Sequence, residues 1–192
     1  MRIFKVLVLT ALTTFSVFAA STAKAGLLIE PYLGYELGTL EQQIPILGTF
    51  KGDMSTAQLG AKVAFTFPIL FIGADYSLPV GGTIKDQSSS TKYDVTGSQL
   101  FVLVGASLPM IRAYAGYGLI NVLELKNQVG GGTTRYEGGT AIKLGVGTTM
   151  LPFVAINLEY ILSNYDKING TSNSNGKSNF FMLNVSLPFN VM

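Results

Sequence analysis

The chain has 192 residues, of which 48% are apolar and only 12% charged, with 13 basic against 11 acidic side chains and no histidine or cysteine. Soluble domains carry about a quarter charged residues, so the apolar excess points to a membrane, a leader or both. The absence of His and Cys removes thiol catalysis, disulfides, the usual zinc sites and histidine-based acid–base chemistry.

The first element is a leader. Arg2 and Lys5 form a basic n-region, Val6 to Ala20 is apolar, and Ala23-Lys24-Ala25 is a small-x-small cleavage signal. The predicted division is therefore a cleaved signal peptide over 1–25 and one domain over 26–192. The apolar stretch is shorter than the ~20 residues a membrane helix needs. Without Arg2, Lys5 and Lys24 the remainder holds ten basic and eleven acidic residues, which gives no electrostatic reason to expect nucleic acid.

From residue 26 onward the recurring pattern is alternation with period two, the mark of strands with two unlike faces. It predicts eight strands: Leu28–Gly38, Thr56–Phe67, Leu70–Leu78, Val95–Leu108, Ile111–Lys126, Arg135–Thr149, Val154–Ser163 and Ser178–Phe189. In the second, Ala57, Leu59, Ala61, Val63, Phe65 and Phe67 oppose Gln58, Gly60, Lys62, Ala64 and Thr66. In the seventh, Val154, Ile156, Leu158, Tyr160 and Leu162 oppose Ala155, Asn157, Glu159 and Ile161. The fourth is apolar on both faces from Leu100 to Val104.

Connections alternate in kind. Phe67-Pro68-Ile69, Leu108-Pro109-Met110 and Leu151-Pro152-Phe153 are short, and proline marks a strand end because it lacks the N–H a ladder needs. The connections 39–55, 79–94, 127–134 and 164–177 are longer and polar. Short turns at one end and long polar connections at the other is the layout of a transmembrane barrel. The sheet must close, since an open edge in lipid leaves backbone groups unbonded.

Charge decides which face meets lipid. Glu30, Glu36, Lys62, Asp75, Arg112, Glu124, Lys126, Arg135, Glu137, Lys143 and Glu159 are all assigned opposite the aliphatic rows, with glycines such as Gly60, Gly116 and Gly145 among them. A lipid-facing charge at midplane costs about 2–4 kcal/mol. Glu30, Glu36, Lys62, Asp75, Arg112, Lys143 and Glu159 are therefore expected to form an ion-pair network in a narrow lumen, structural or gating. Phe101, Leu103 and Ile120 are expected to be an apolar inward trio. Tyr35, Tyr76, Tyr136 and Tyr160 are placed on the lipid face near the long-connection end, and Phe67 and Phe189 near the turn end.

With Glu30-Pro31-Tyr32-Leu33-Gly34-Tyr35 opening the barrel, Arg112-Ala113-Tyr114-Ala115-Gly116-Tyr117-Gly118 in the fifth strand and Asn157-Leu158-Glu159-Tyr160 in the seventh, the domain resembles the small outer-membrane β-barrel family that includes the OmpA membrane domain, OmpX and opacity proteins. It departs where Ile161 follows Leu-Glu-Tyr, and in ending on Asn190-Val191-Met192 rather than an aromatic. The resemblance implies an all-β, eight-stranded, antiparallel, up-and-down barrel with short periplasmic turns and longer extracellular loops, in the outer membrane of a Gram-negative-type cell. It implies contact with outer-membrane lipid and lipopolysaccharide, passage through the barrel-assembly machinery, and a monomer. No catalytic, cofactor or metal residues are expected. Three roles fit: a structural envelope barrel, a narrow pore or route for small solutes, and an adhesin acting through its loops.

Overall fold

The computed structural model describes residues 25–44, 48–89, 91–128, 130–148 and 153–191. The leader, all but the last residue of its cleavage signal, and the Leu151-Pro152 turn lie outside the described residues. Ten strand segments follow in order: β1 (Gly26–Ile44), β2 (Gly48–Thr66), β3 (Leu70–Asp86), β4 (Lys92–Ser107), β5 (Ile111–Asn127), β6 (Thr133–Glu137), β7 (Thr140–Thr148), β8 (Ala155–Ile168), β9 (Thr171–Ser186) and β10 (Phe189–Val191). They form eight staves, because β6 and β7 are one strand broken at Gly138-Gly139, and β10 continues β9. Both glycines have positive φ, 73° and 75°, a conformation other residues reach only with strain.

Every neighbouring pair is antiparallel, and β9 pairs with both β8 and β1, which closes the ring. The ladder row through Leu28, Ala64, Gly73, Leu103, Gly116, Lys143, Ile161 and Phe180 returns to β1 at Gly38. The circuit thus climbs ten residues along β1. With eight staves, a rise of ~3.3 Å and a spacing of ~4.8 Å, that shear tilts the strands by about 40°.

The strands are longer than the alternation predicted. β1 and β2 remain paired up to Ile44↔Gly48, β3 and β4 to Lys85↔Lys92, β5 and β6 to Lys126↔Thr133, and β8 and β9 to Ile168↔Thr171. Most of the polar connections are therefore ladder-paired hairpins that continue the wall. At the end of β3, Asp86 accepts hydrogen bonds from Ser89 Oγ (2.5 Å), the Ser88 N–H (2.9 Å) and Ser88 Oγ (2.8 Å), which hold its carboxyl below the ordinary aspartate value.

Polarity along the wall changes sides. In the lower part the outward residues are apolar and exposed, as in Leu33, Leu59, Val63, Ile72, Val104, Val146, Leu158 and Leu183, while Glu30, Lys62, Asp75, Arg112, Lys143 and Glu159 face inward and are buried. Towards the hairpin ends Glu41, Lys51, Asp53, Lys85, Asp94, Lys126 and Lys177 are exposed. There the interior holds Leu40, Met54, Ile84, Val95, Leu123, Leu125, Tyr136, Tyr165 and Ile168. The lower section is ordered as a membrane barrel and the upper section as a water-soluble one. The apolar band on β1 runs from Leu27 to Leu37, matching the 9–11 residues a tilted strand uses to cross.

This crossover corrects four of the eleven inward charges. Leu100 pairs with Ile120 but Phe101 with Gly118, so Leu119 is an extra residue in β5. Leu119 and Ile120 both face outward, and parity reverses above them: Leu123 and Leu125 turn in, and Glu124 and Lys126 turn out. Ile120, 41% exposed, is thus not part of the inward trio, whereas Phe101 and Leu103 are buried. The Gly138-Gly139 break does the same to β6. Arg135 and Glu137 lie on the outer face, where Arg135 Nε meets Glu137 (2.8 Å) and Nη1 meets Glu124 (2.6 Å), and Tyr136 is in the interior at 2% exposure rather than on the lipid face.

The position of the band is testable by placing charge on one strand. Val63→Lys, inside the band, is expected to destabilise the vesicle-inserted barrel by about 2–4 kcal/mol, and Thr49→Lys, above it, by less than about 0.5 kcal/mol. Urea unfolding in lipid vesicles measures both, and equal losses would contradict this placement.

Candidate functional site

The lower lumen is filled by inward side chains whose positions follow from ladder register. Tyr32 pairs across the ladder with Gly60, and Tyr114 with Gly145. A Cβ on either glycine would collide with the facing ring, so these glycines make room for the two tyrosines. The rings lie across a lumen that eight strands make only wide enough for side chains.

Six of the seven predicted lumen residues join one connected network. Arg112 makes a two-pronged pair with Glu30 and donates from Nε (2.9 Å) and Nη2 (2.6 Å) to Asn157 Oδ1. Asn157 Nδ2 donates to Asn184 Oδ1 (2.7 Å) and Ser186 Oγ (3.1 Å), and Asn184 Nδ2 donates to Glu159 Oε1 (2.9 Å). Glu159 also accepts from Tyr114 (2.5 Å) and pairs with Lys62 (2.9 Å) and Lys143 (3.1 Å). Lys143 reaches Asp75 at 2.6 Å, and the Tyr32 hydroxyl donates to Asp75 Oδ1 at 2.8 Å. The two ammonium groups also sit over ring faces, Lys62 at 4.1 Å from the Tyr32 centroid and Lys143 at 4.4 Å from that of Phe101.

Glu36, the seventh, stands apart. It is buried, accepts a hydrogen bond from Gln58 Nε2, and has no basic side chain in salt-bridge contact among the described residues. The charge list alone omits Asn157, Asn184, Ser186, Tyr32 and Tyr114, which carry the links between pairs. For Tyr32, Tyr114 and Asn157 the signal in the sequence is parity, since each shares the inward register of a charged residue on its own strand; Asn184 and Ser186 lie on β9, where the one charged residue, Lys177, faces outward and gives no such signal.

Each carboxylate in this network is held by cations and neutral donors, so removing one member strands its partner in a buried site. Arg112→Ala leaves Glu30 without its cation and is expected to cost about 3–5 kcal/mol. Lys85→Ala, on the exposed upper wall, is expected to cost under about 0.5 kcal/mol. Matching urea midpoints for the two variants would show that the network does not hold the barrel together.

No protein-family model and no curated protein matches the sequence. Solved structures do match by shape. Neisserial surface protein A aligns with a TM-score of 0.54 at 17% identity, over 88% of this chain and 100% of that one. The attachment invasion locus protein Ail of Yersinia pestis aligns at 0.54 and 13% identity, over 86% and 100%. The outer membrane protein OprG of Pseudomonas aeruginosa aligns at 0.54 and 12% identity, over 88% and 98%. At these identities the likeness is one of architecture: the chain has the fold of the small eight-stranded outer-membrane β-barrels.

Proposed function

We propose that the protein is a closed, non-enzymatic barrel of the outer membrane of a Gram-negative-type cell, with a structural role in the envelope. The observation that carries this reading is the state of the lumen. Arg112–Glu30, Lys143–Asp75 and Lys62–Glu159 span it with the rings of Tyr32, Tyr114 and Phe101 between them. Above them lies an apolar core of Leu40, Met54, Ile84, Leu123, Leu125 and Tyr136. An ion crossing would have to break buried pairs and then shed water in that core.

A lateral route is blocked in the same way. A shallow apolar groove on the outer wall, lined by Leu144, Val146, Leu158, Tyr160 and Phe181, ends on Gly145, and the Tyr114 ring fills the space behind it. Catalysis fits poorly, since Asp75 and Glu159 are committed to lysines rather than open to a substrate. In this reading the apolar band contacts lipid and lipopolysaccharide, the assembly machinery inserts the chain, and the barrel works as a monomer. The charged outer wall of the hairpins is the surface left for contacts outside the cell, and it supports adhesion as a second reading.

Planar-bilayer recording of the refolded protein tests the closed state, with heat-shifted gel mobility as proof of folding. A silent bilayer is expected. Reproducible conductance steps that change in Glu159→Gln would make the protein a pore and the network its gate.

A further inference from the structure

The outer wall of β3, β4 and β5 carries two features at two heights. At the top of the apolar band, β3 and β5 each hold an extra residue that bulges outward. Gln58 pairs with Pro79 but Ala57 with Gly81, so Val80 is the extra residue of β3, as Leu119 is of β5. Val80 is 55% and Leu119 62% exposed, and Ile120 follows on the same outer face.

Above these bulges three lysines meet. Lys85 and Lys92 are direct partners across the β3–β4 ladder, and Lys126 on β5 stands opposite Asp94, two residues from Lys92. All three are exposed, and none has an acid in ion-pair contact among the described residues. Like charges directly opposite each other destabilise a ladder, so this arrangement calls for an anion. Asp53 and Asp94 face Lys85 and Lys126 across the ladder but accept hydrogen bonds from the amides of Gln87 (2.8 Å) and Gln128 (2.6 Å). Both acids also lie lower on the wall, because the climb of the sheet lifts each stave's partner by about 3 Å. Towards the tips, 87–91 and 127–134 contain no acid. An anion seated above the lysines therefore meets three cations first, with the two aspartates beneath them.

Height selects the kind of anion. Lys85 is five residues beyond Val80, about 12 Å along the barrel axis at the tilt of these strands. The headgroup layer of a plain bilayer is only about 5–7 Å deep on each side. A lipid that reaches both levels must carry a taller headgroup, with sugars between its acyl chains and its outer negative charge. Thr83 and Thr96, neutral on the outer face between the two levels, offer hydroxyls to such sugars. The lysines point sideways from the wall, directly above the lipid-facing band. What reaches them from the side is the headgroup of a lipid whose chains already lie on that band.

We propose that this sector docks one phosphorylated glycolipid of the outer leaflet, with its acyl chains against Val80, Leu119 and Ile120 and a saccharide phosphate on Lys85, Lys92 and Lys126. The proposal rests on the reading of the chain as an outer-membrane barrel whose apolar band meets lipid, and it needs nothing of the lumen.

The test is the midpoint of heat-shifted gel mobility in phosphatidylcholine vesicles of four kinds: plain, with lipopolysaccharide, with the same lipopolysaccharide after phosphatase treatment, and with phosphatidylglycerol. The wild type is expected to melt at a higher temperature with intact than with dephosphorylated lipopolysaccharide, and to gain less from phosphatidylglycerol. The triple variant Lys85→Gln, Lys92→Gln, Lys126→Gln is expected to melt alike in the two lipopolysaccharides. Lys167→Gln with Lys177→Gln, on β8 and β9, is expected to keep the wild-type difference. A triple variant that keeps the difference, or a wild type that shows none, overturns the proposal. A rise as large with phosphatidylglycerol would reduce the effect to general surface charge and overturn it too. Retention of the micelle-folded wild type on immobilised dextran sulfate, with no effect of lipopolysaccharide, would give the lysines to a polyanion from outside and overturn it likewise. A chain that gains no heat-shifted form in any vesicle would instead sink the membrane reading itself, and this proposal with it.

Discussion

A backbone in hydrocarbon has no water to bond, and the closed ladder of this protein is the answer to that constraint. Closure with β9 against β1 and a climb of ten residues per circuit sets the strand tilt and the width of the lumen. At that width inward side chains from opposite staves meet. Arg112 on β5 reaches Glu30 on β1, and Lys143 on β7 reaches Asp75 on β3. In a wider barrel these groups could stay hydrated and unpaired. Here each buried charge needs a partner, and Tyr32 and Tyr114 need glycines opposite them.

The same staves then solve a second problem. Above the lipid-facing band the outer surface meets water, and the apolar side chains move inside. The hydrophobic effect contributes there as in any soluble domain, at about 1.5–3 kcal/mol for each fully buried Leu, Ile or Met. In the lipid-facing section fewer apolar side chains, among them Phe71, Phe101 and Leu103, fill the inner face, and hydrogen bonds and ion pairs hold much of the interior. The extra residue at Leu119, the shift between Ser77 and Thr83 and the Gly138-Gly139 break re-aim three staves near this boundary. A β-bulge is thus how one continuous strand changes which of its faces is apolar.

That mechanism also explains how much the sequence revealed. Below the bulges strict alternation holds. The lipid-facing rows of β2 and β8 and the inward placement of Glu30, Glu36, Lys62, Asp75, Arg112, Lys143 and Glu159 could be read by counting in twos. Above them the count fails, because a single inserted residue reverses every side chain that follows. Glu124, Lys126, Arg135, Glu137, Tyr136 and Ile120 were misplaced for that one reason. The hairpins were missed for another. Their composition, rich in Gly, Ser, Asn and Thr, is that of loops, and their pairing comes from continuity with the strands below rather than from local propensity. Nor could residue types show that Glu36 is left out of the network, because pairing depends on height in the barrel.

A charged lumen has a further consequence for assembly. A β5 stave displaced by one residue would turn Arg112 towards lipid near the turn end of the band and would leave Glu30 buried without its cation. Alternating charge and apolar residues therefore make wrong registers costly during insertion, whatever the net contribution of the pairs to the finished fold. β4 is the instructive exception. Leu100 to Val104 is apolar on both faces, so a slip there would meet no such charge penalty. Its register must come from its neighbours: from Gly118, which makes room for Phe101, and from the β5 bulge beside Leu100. The bulge that changes the polarity of the wall thereby also fixes the strand whose own sequence specifies its position least.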